Sequence, residues 1–412
     1  MKQILYILFF IFFYSSCDAQ QDKKIPENMQ AVTIPKIMVE QPNLPIVTGA
    51  EQTEKYLPLL QNKKVGIVAN HTAFIDKIHL VDSLLELKIN VVKVFSPEHG
   101  FRGNADAGEK VNSEIDEKTQ LPIVSLYGKN KKPTKEQLQG LDVMIFDIQD
   151  VGARFYTYIS TMHYVMEACA ENNILLIILD RPNPNGHFVD GPILEEKYKS
   201  FIGMHPVPIV HGMTIGEFAQ MINGEKWLQN GVQCDLTIIK MKHYDHLSVY
   251  ELPIKPSPNL PNMSSVYLYP SLCLFEGTPM SVGRGTEKPF QVLGHPKINS
   301  EKYSFTPKSM EGAKQPKLEG QLCKGYDLSE YGETCMRGLK KLNLFWLLDI
   351  YKNFPEKEGF FGSSFNLLAG TGQLQEQIKT GKTEKEIYAS WQEGLKQFKI
   401  TRKKYLLYRD FE

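Results

Sequence analysis

The chain lacks any surplus of charge: 47 basic and 47 acidic residues leave a formal net charge of zero over 412 residues. Without a basic excess there is no electrostatic footprint for a nucleic-acid partner. Cysteine is sparse, six in all. Beyond Cys17, the others (Cys169, Cys234, Cys273, Cys323 and Cys335) are too widely spaced for a disulfide framework or a zinc site. Cys323 and Cys335 are the two that could pair in an oxidising compartment, whereas Cys169 and Cys273 sit in apolar surroundings and read as core. No GxGxxG follows the first apolar strand, so a dinucleotide site is unsupported, and no other cofactor or metal motif is present. Internal repeats are absent as well.

What is present begins with an address. Lys2 precedes an apolar run over residues 4–14, too short to span a membrane comfortably and shaped like a secretory signal. Ser15-Ser16-Cys17 resembles the lipobox of a bacterial lipoprotein, although Tyr14 stands where an aliphatic residue is usual. The expectation is an acylated Cys17 as first mature residue, a membrane contact through that lipid, and a place in the cell envelope on its periplasmic or outer-membrane face. Residues 18–50, rich in Pro, Gln and Lys, suit a flexible tether. The remaining length suggests two domains, 51–264 and 265–412.

Within 51–264, apolar runs alternate with helical patterns. Strands are expected at 64–69, 91–95, 122–126, 142–146, 174–179 and 234–241, with helices at 75–87, 134–141, 158–172 and 214–223. Thr214 followed by Glu217 marks a capping box. Runs buried on both faces and joined by helices imply a Rossmann-like α/β fold with a mostly parallel, doubly wound sheet. The C-terminal domain reads as a smaller α+β unit, with helices at 336–353 and 384–398.

Four of the first five strands end in polar clusters: Asn70-His71; Glu98-His99 with Arg102; Asp147, Asp150 and Arg154; Asp180-Arg181 with Asn183. In a parallel sheet these ends converge along one edge. Paired carboxylates without a metal or nucleotide motif suggest glycoside hydrolysis, in which one carboxyl protonates the leaving oxygen and a second group stabilises or attacks the sugar. Glu98 is the better acid candidate, because it stands before a glycine bend where partial burial favours the protonated form. In the second domain, the glycine-rich loop from Phe275 to Thr286 offers Glu276 and Arg284. The proline-stiffened stretch before it offers Asn259 and Asn262, whose amides both donate to and accept from sugar hydroxyls. Tyr156 and Tyr158 are placed to stack on a sugar or to pack. A metal-dependent hydrolase built on His71, His99 and Asp147 is a weaker alternative.

The segments 96–103, 147–158, 180–186, 211–217, 256–263 and 275–286, in that order, resemble the bacterial exo-β-N-acetylmuramidases of the NamZ type, formerly a domain of unknown function. Leu368-Ala369-Gly370-Thr371, Trp391 and Tyr405-Leu406-Leu407-Tyr408 match the same pattern. The resemblance covers roughly 55–412. It implies a cleft between the two domains, release of terminal N-acetylmuramic acid from the non-reducing end of peptidoglycan fragments, and Glu98 as the catalytic glutamate. Asp150, Asp147 and Glu276 are then the candidates for a second catalytic carboxyl, and Tyr158 for a tyrosine nucleophile. The candidate substrate contacts are Asn70, His99, Arg102, Asp147, Arg154, Tyr158, Asp180, Arg181, Asn183, His211, Asn259, Asn262 and Arg284. Because muramic acid carries a lactyl carboxylate, at least one of the four arginines is expected to bind it. The competing reading is a non-catalytic envelope lipoprotein that captures muropeptides for uptake.

Overall fold

The structure, a computed structural model, describes residues 44–98, 100–102, 114–299 and 302–412. The signal segment with Cys17, most of the tether, and His99 therefore lie outside the described residues. A seven-stranded sheet organises the first half: β1 (Val65–Ala69), β2 (Val91–Ser96), β3 (Glu114–Ile115), β4 (Pro122–Ser125), β5 (Val143–Asp147), β6 (Leu175–Leu179) and β7 (Leu236–Ile239). Their spatial order is β3-β4-β2-β1-β5-β6-β7, parallel throughout except for β3, which runs antiparallel to β4 at the edge. The order reverses at β1, so the switch-point crevice opens beyond the carboxyl ends of β1 and its neighbours.

The strands are apolar on both faces because both faces are covered. Val143 and Ile145 of β5 join one core layer, while Met144 and Phe146 join the other, as the two-residue period of a strand requires. Helix α1 (Leu80–Glu86) packs on the first layer; α2 (Tyr158–Glu171) and α3 (Ile215–Gly224) pack on the second. Thr214 caps α3 in a capping box with Glu217. The second layer continues without a break into the C-terminal domain, through Tyr269 and Leu272 of α4 (Met263–Leu272), Leu347 of α5 (Phe345–Asn353), and Trp391 and Leu395 of α6 (Glu384–Lys403). That domain also holds a three-stranded antiparallel sheet of β8 (Val292–His295), β9 (Tyr303–Phe305) and β10 (Cys323–Asp327), with β10 in the middle.

Several local expectations change. Residues 75–87 are not one helix: Phe74–Ile75 and Ile78–His79 pair as a hairpin around Asp76 at φ 50°, and α1 starts only at Leu80. The helix expected over 336–353 breaks at Lys340, which takes a left-handed φ of 51° and ends the first piece. Cys323 and Cys335 are both free; the first is buried in its sheet and the second is exposed, so they do not pair.

Candidate active site

Glu98 follows β2 directly, and Gly100 closes a tight bend behind it at φ 76°, its N–H donating to the Pro97 carbonyl at 3.2 Å. An L side chain rarely adopts that backbone, which accounts for glycine there. The bend puts Glu98, half-buried, on the wall of a cleft of about 440 Å³, counting its open mouth. Thr157, Tyr158, Asn259, Arg284 and Phe290 line the same cleft. Among the described residues that line it, Glu98 is the one carboxylate and Arg284 the one cation.

Each wall has a traceable support. Thr157 occupies the N-cap position of α2 but makes no side-chain cap; its hydroxyl instead donates to Glu98 Oε2 at 3.3 Å. The Tyr127 phenol also hydrogen-bonds Glu98; burial first, then the Glu98 charge, push its pKa up and keep it protonated. Tyr158 is held from behind by Asn70, whose Nδ2 donates to its hydroxyl at 2.9 Å. Burial, followed by the charge of Glu98, also raises the Tyr158 pKa, so its phenol is a hydrogen-bonding group rather than a ready nucleophile. Tyr156 donates to the Pro256 carbonyl at 2.7 Å, which ties the proline-stiffened loop to the start of α2. On that loop, Asn259 donates through Nδ2 to the Gly312 carbonyl at 2.8 Å.

The other sequence candidates lie elsewhere, engaged with protein. Arg102 pairs with Asp116 at 2.8 Å and with Asp82 at 3.4 Å. Asp147 and Arg181 form a buried two-bond pair at 2.5 and 2.8 Å, and Arg181 also reaches the Phe74 carbonyl. Arg154, fully buried, donates to the carbonyls of Pro192, Val207, Leu368 and Ala369, bolting the two halves of the chain together. This explains Gly370, where an added Cβ would meet the Arg154 guanidinium at 2.3 Å. Asp180 accepts from Thr214 and Tyr408 at 2.8 and 2.6 Å, and from the N–H of Gly216. Asn183 donates to Met213, and His211 accepts the N–H of the same residue. Asn262 caps α4 and donates to Gln291. These residues build the fold around the cleft rather than its lining; all but the exposed Asn262 and the half-buried Arg102 are buried, and burial forces a polar group to find a protein partner.

The two remaining carboxyls differ from each other. Glu276 is held bidentately by Arg284, at 2.7 and 3.0 Å. Asp150 accepts the Gly152 N–H at 2.7 Å through Oδ1, while its buried Oδ2 has no partner. Burial lifts the Asp150 pKa to about 7. Neither lines the cleft. Sequence reasoning missed Thr157, Tyr127 and Phe290; Thr157 stands between Tyr156 and Tyr158, which it did weigh, and Tyr127 directly follows the strand expected at 122–126, while Phe290 carried no signal.

Known proteins extend this picture. Family models described as exo-beta-N-acetylmuramidase NamZ, N-terminal and C-terminal, match residues 65–264 and 267–408. A peptidoglycan beta-N-acetylmuramidase NamZ of Bacillus subtilis (strain 168) is 42% identical over 372 residues, covering 86% of this chain and 89% of that protein. Two crystal structures from Bacteroides fragilis NCTC 9343, described as DUF1343 family proteins, are also similar. The first is 51% identical with a TM-score of 0.83, covering 89% of this chain and all of that one. The second is 30% identical with a TM-score of 0.75, covering 88% and 99%. With both halves matched in order and the fold shared along nearly the whole described length, the chain belongs to the exo-β-N-acetylmuramidase NamZ family.

Proposed function

We propose that this chain is an exo-acting glycoside hydrolase that releases N-acetylmuramic acid from the non-reducing end of peptidoglycan fragments, in cell-wall turnover or muropeptide salvage. The observation that carries this reading is Glu98, among the described residues the one carboxylate lining a cleft at the carboxyl edge of the sheet in a member of this family. Its carboxyl gives a proton to the glycosidic oxygen as the bond to the anomeric carbon breaks, and water completes the hydrolysis at that carbon. Thr157 and Tyr127 fix the carboxyl, so little orientation is lost on reaching the transition state. Tyr158 and Asn259 offer hydroxyl and amide groups to the sugar's hydroxyls and acetamido group.

The test is incubation with a chromogenic β-N-acetylmuraminide and its N-acetylglucosaminide counterpart. Turnover of the first and not the second is expected; turnover of neither, or of both equally, would sink the reading. We further propose that Cys17 carries the lipid that anchors the protein in the envelope, a reading that rests on Ser15-Ser16-Cys17 behind an apolar leader. Incorporation of a labelled fatty acid in cells, lost in Cys17→Ser, is the expected result; labelling unchanged by the substitution would contradict it.

A further inference from the structure

Arg284 is held with more care than a surface arginine needs. Gly283 and Gly285, on either side of it, stand at φ 81° and 80°. A Cβ on Gly283 would meet the Lys288 carbonyl oxygen at 2.6 Å, and one on Gly285 the Lys308 carbonyl oxygen at 2.6 Å. Both positions therefore exclude side chains twice, by backbone conformation and by space. Phe290, from the same loop, takes a left-handed φ of 54°, a strained setting for an aromatic residue of the kind that clusters at ligand clamps. Its ring lies 5.0 Å from the Arg284 guanidinium carbon, within cation–π range.

The guanidinium is a planar fork with five donors. Glu276 takes the edge formed by Nε and Nη2. Among the described residues Nη1 has no hydrogen-bond partner, and the side chain, about a quarter exposed, lines the cleft. Lys317 sits beside the pair, donating to the carbonyls of Glu276 and Thr278 at 3.2 and 2.6 Å. Arg284, Lys317 and Glu276 together carry more positive than negative charge. Burial works to raise the Glu276 pKa, but the Arg284 guanidinium outweighs it and keeps the carboxylate ionised. The other three arginines singled out in the sequence are spent on protein partners.

We propose that Arg284 determines the specificity of the cleft by binding a carboxylate on the sugar, the lactyl group that separates N-acetylmuramic acid from N-acetylglucosamine. Glu276 is the positioning residue that fixes the guanidinium, in place of the catalytic part considered for it from sequence. This rests on the muramidase reading above and names how that site recognises its substrate. The remaining donors of an arginine already pinned on one edge match a planar carboxylate.

The experiment uses the full chain and three probes: a chromogenic β-N-acetylmuraminide, its lactyl methyl ester, and the β-N-acetylglucosaminide. Calorimetric binding of N-acetylmuramic acid and of its methyl ester runs alongside. The intact protein should favour acid over ester about 10- to 100-fold, the range of a hydrogen bond to a charged group. Arg284→Met should raise KM for the acid by that factor, leave kcat within about threefold, and remove the acid–ester discrimination; Arg284→Lys should restore part of it. Glu276→Gln should raise KM for the acid by a smaller factor. Equal losses on all three probes would make Arg284 a contact for neutral hydroxyls and overturn the proposal, as would an acid–ester ratio near one in the unsubstituted protein. That last comparison holds even where a variant fails to fold. Tight binding of the acid without hydrolysis would leave the carboxylate site standing and sink the hydrolase reading. Hydrolysis without discrimination would do the reverse.

Discussion

The strand-end cluster and the cleft lie at the same edge of the molecule and use the same residue types, yet they treat polar groups in opposite ways. In the cluster, Asp147 meets Arg181, Asp180 meets Thr214 and Tyr408, and Arg154 meets four carbonyls. In the cleft, Glu98 and Arg284 are each oriented by protein but still border open space. Burial of a charge is tolerable only with partners, so the first set is structural of necessity. A polar group that is positioned and still faces a cavity can spend its interactions on a ligand. The contrast separates framework from chemistry better than residue type does.

The comparison can be broken at several points. The largest expected effect is at the framework. Asp147→Ala leaves Arg181 buried without its counter-charge and should cost about 3–5 kcal/mol of stability, read as a fall in the denaturant midpoint; a change below about 1 kcal/mol would mean the pair is not structural.

Asp150 straddles the two regions, buried like the framework but with one oxygen unpartnered. Its pKa in the folded chain is about 7, against an ordinary 3.8. The folded state therefore keeps a proton that the unfolded chain releases, and stability from this group is full below about pH 4 and declines as pH rises toward 7. Asp150→Asn cannot ionise, so it should gain on the unsubstituted protein across that window, by up to about 4 kcal/mol at pH 8. Parallel stability curves for the two proteins from pH 4 to 8 would refute this.

A smaller effect is expected at the strap made by the chain's last residues. Tyr408→Phe removes a 2.6 Å donor to Asp180 and the acceptor for the Met241 N–H. A loss of about 1–3 kcal/mol follows, with turnover nearly unchanged; a stable variant with collapsed activity would move Asp180 from framework to chemistry.

Much of the fold was legible in the residues themselves. Runs such as Val143-Met144-Ile145-Phe146 can only be strands covered on both faces, and the Thr214–Glu217 box marks the start of α3. The edge strand Glu114–Ile115 was not legible, since it is short, exposed and without apolar alternation. Nor was the left-handed Lys340 that breaks a helical pattern, because a lysine does not announce that conformation. At the site, Glu98, Tyr158, Asn259 and Arg284 could be picked out as polar groups near bends and loops, and all four line the cleft. What sequence could not supply was which polar strand ends are already satisfied. That depends on distant partners, as with Tyr408 and Asp180, 228 positions apart. The roles of Thr157 and Phe290 were hidden for a related reason: one rests on a hydrogen bond to Glu98, the other on a backbone angle.

The most direct measurement compares the unsubstituted protein with Glu98→Gln on a chromogenic β-N-acetylmuraminide, with binding of N-acetylmuramic acid measured on both. Losing a general acid should lower kcat by about 10²- to 10⁴-fold, with binding and thermal midpoint little changed, because Glu98 is only half-buried. Turnover within a fewfold of the unsubstituted protein would contradict the account and return the cleft to a capture site for muropeptides.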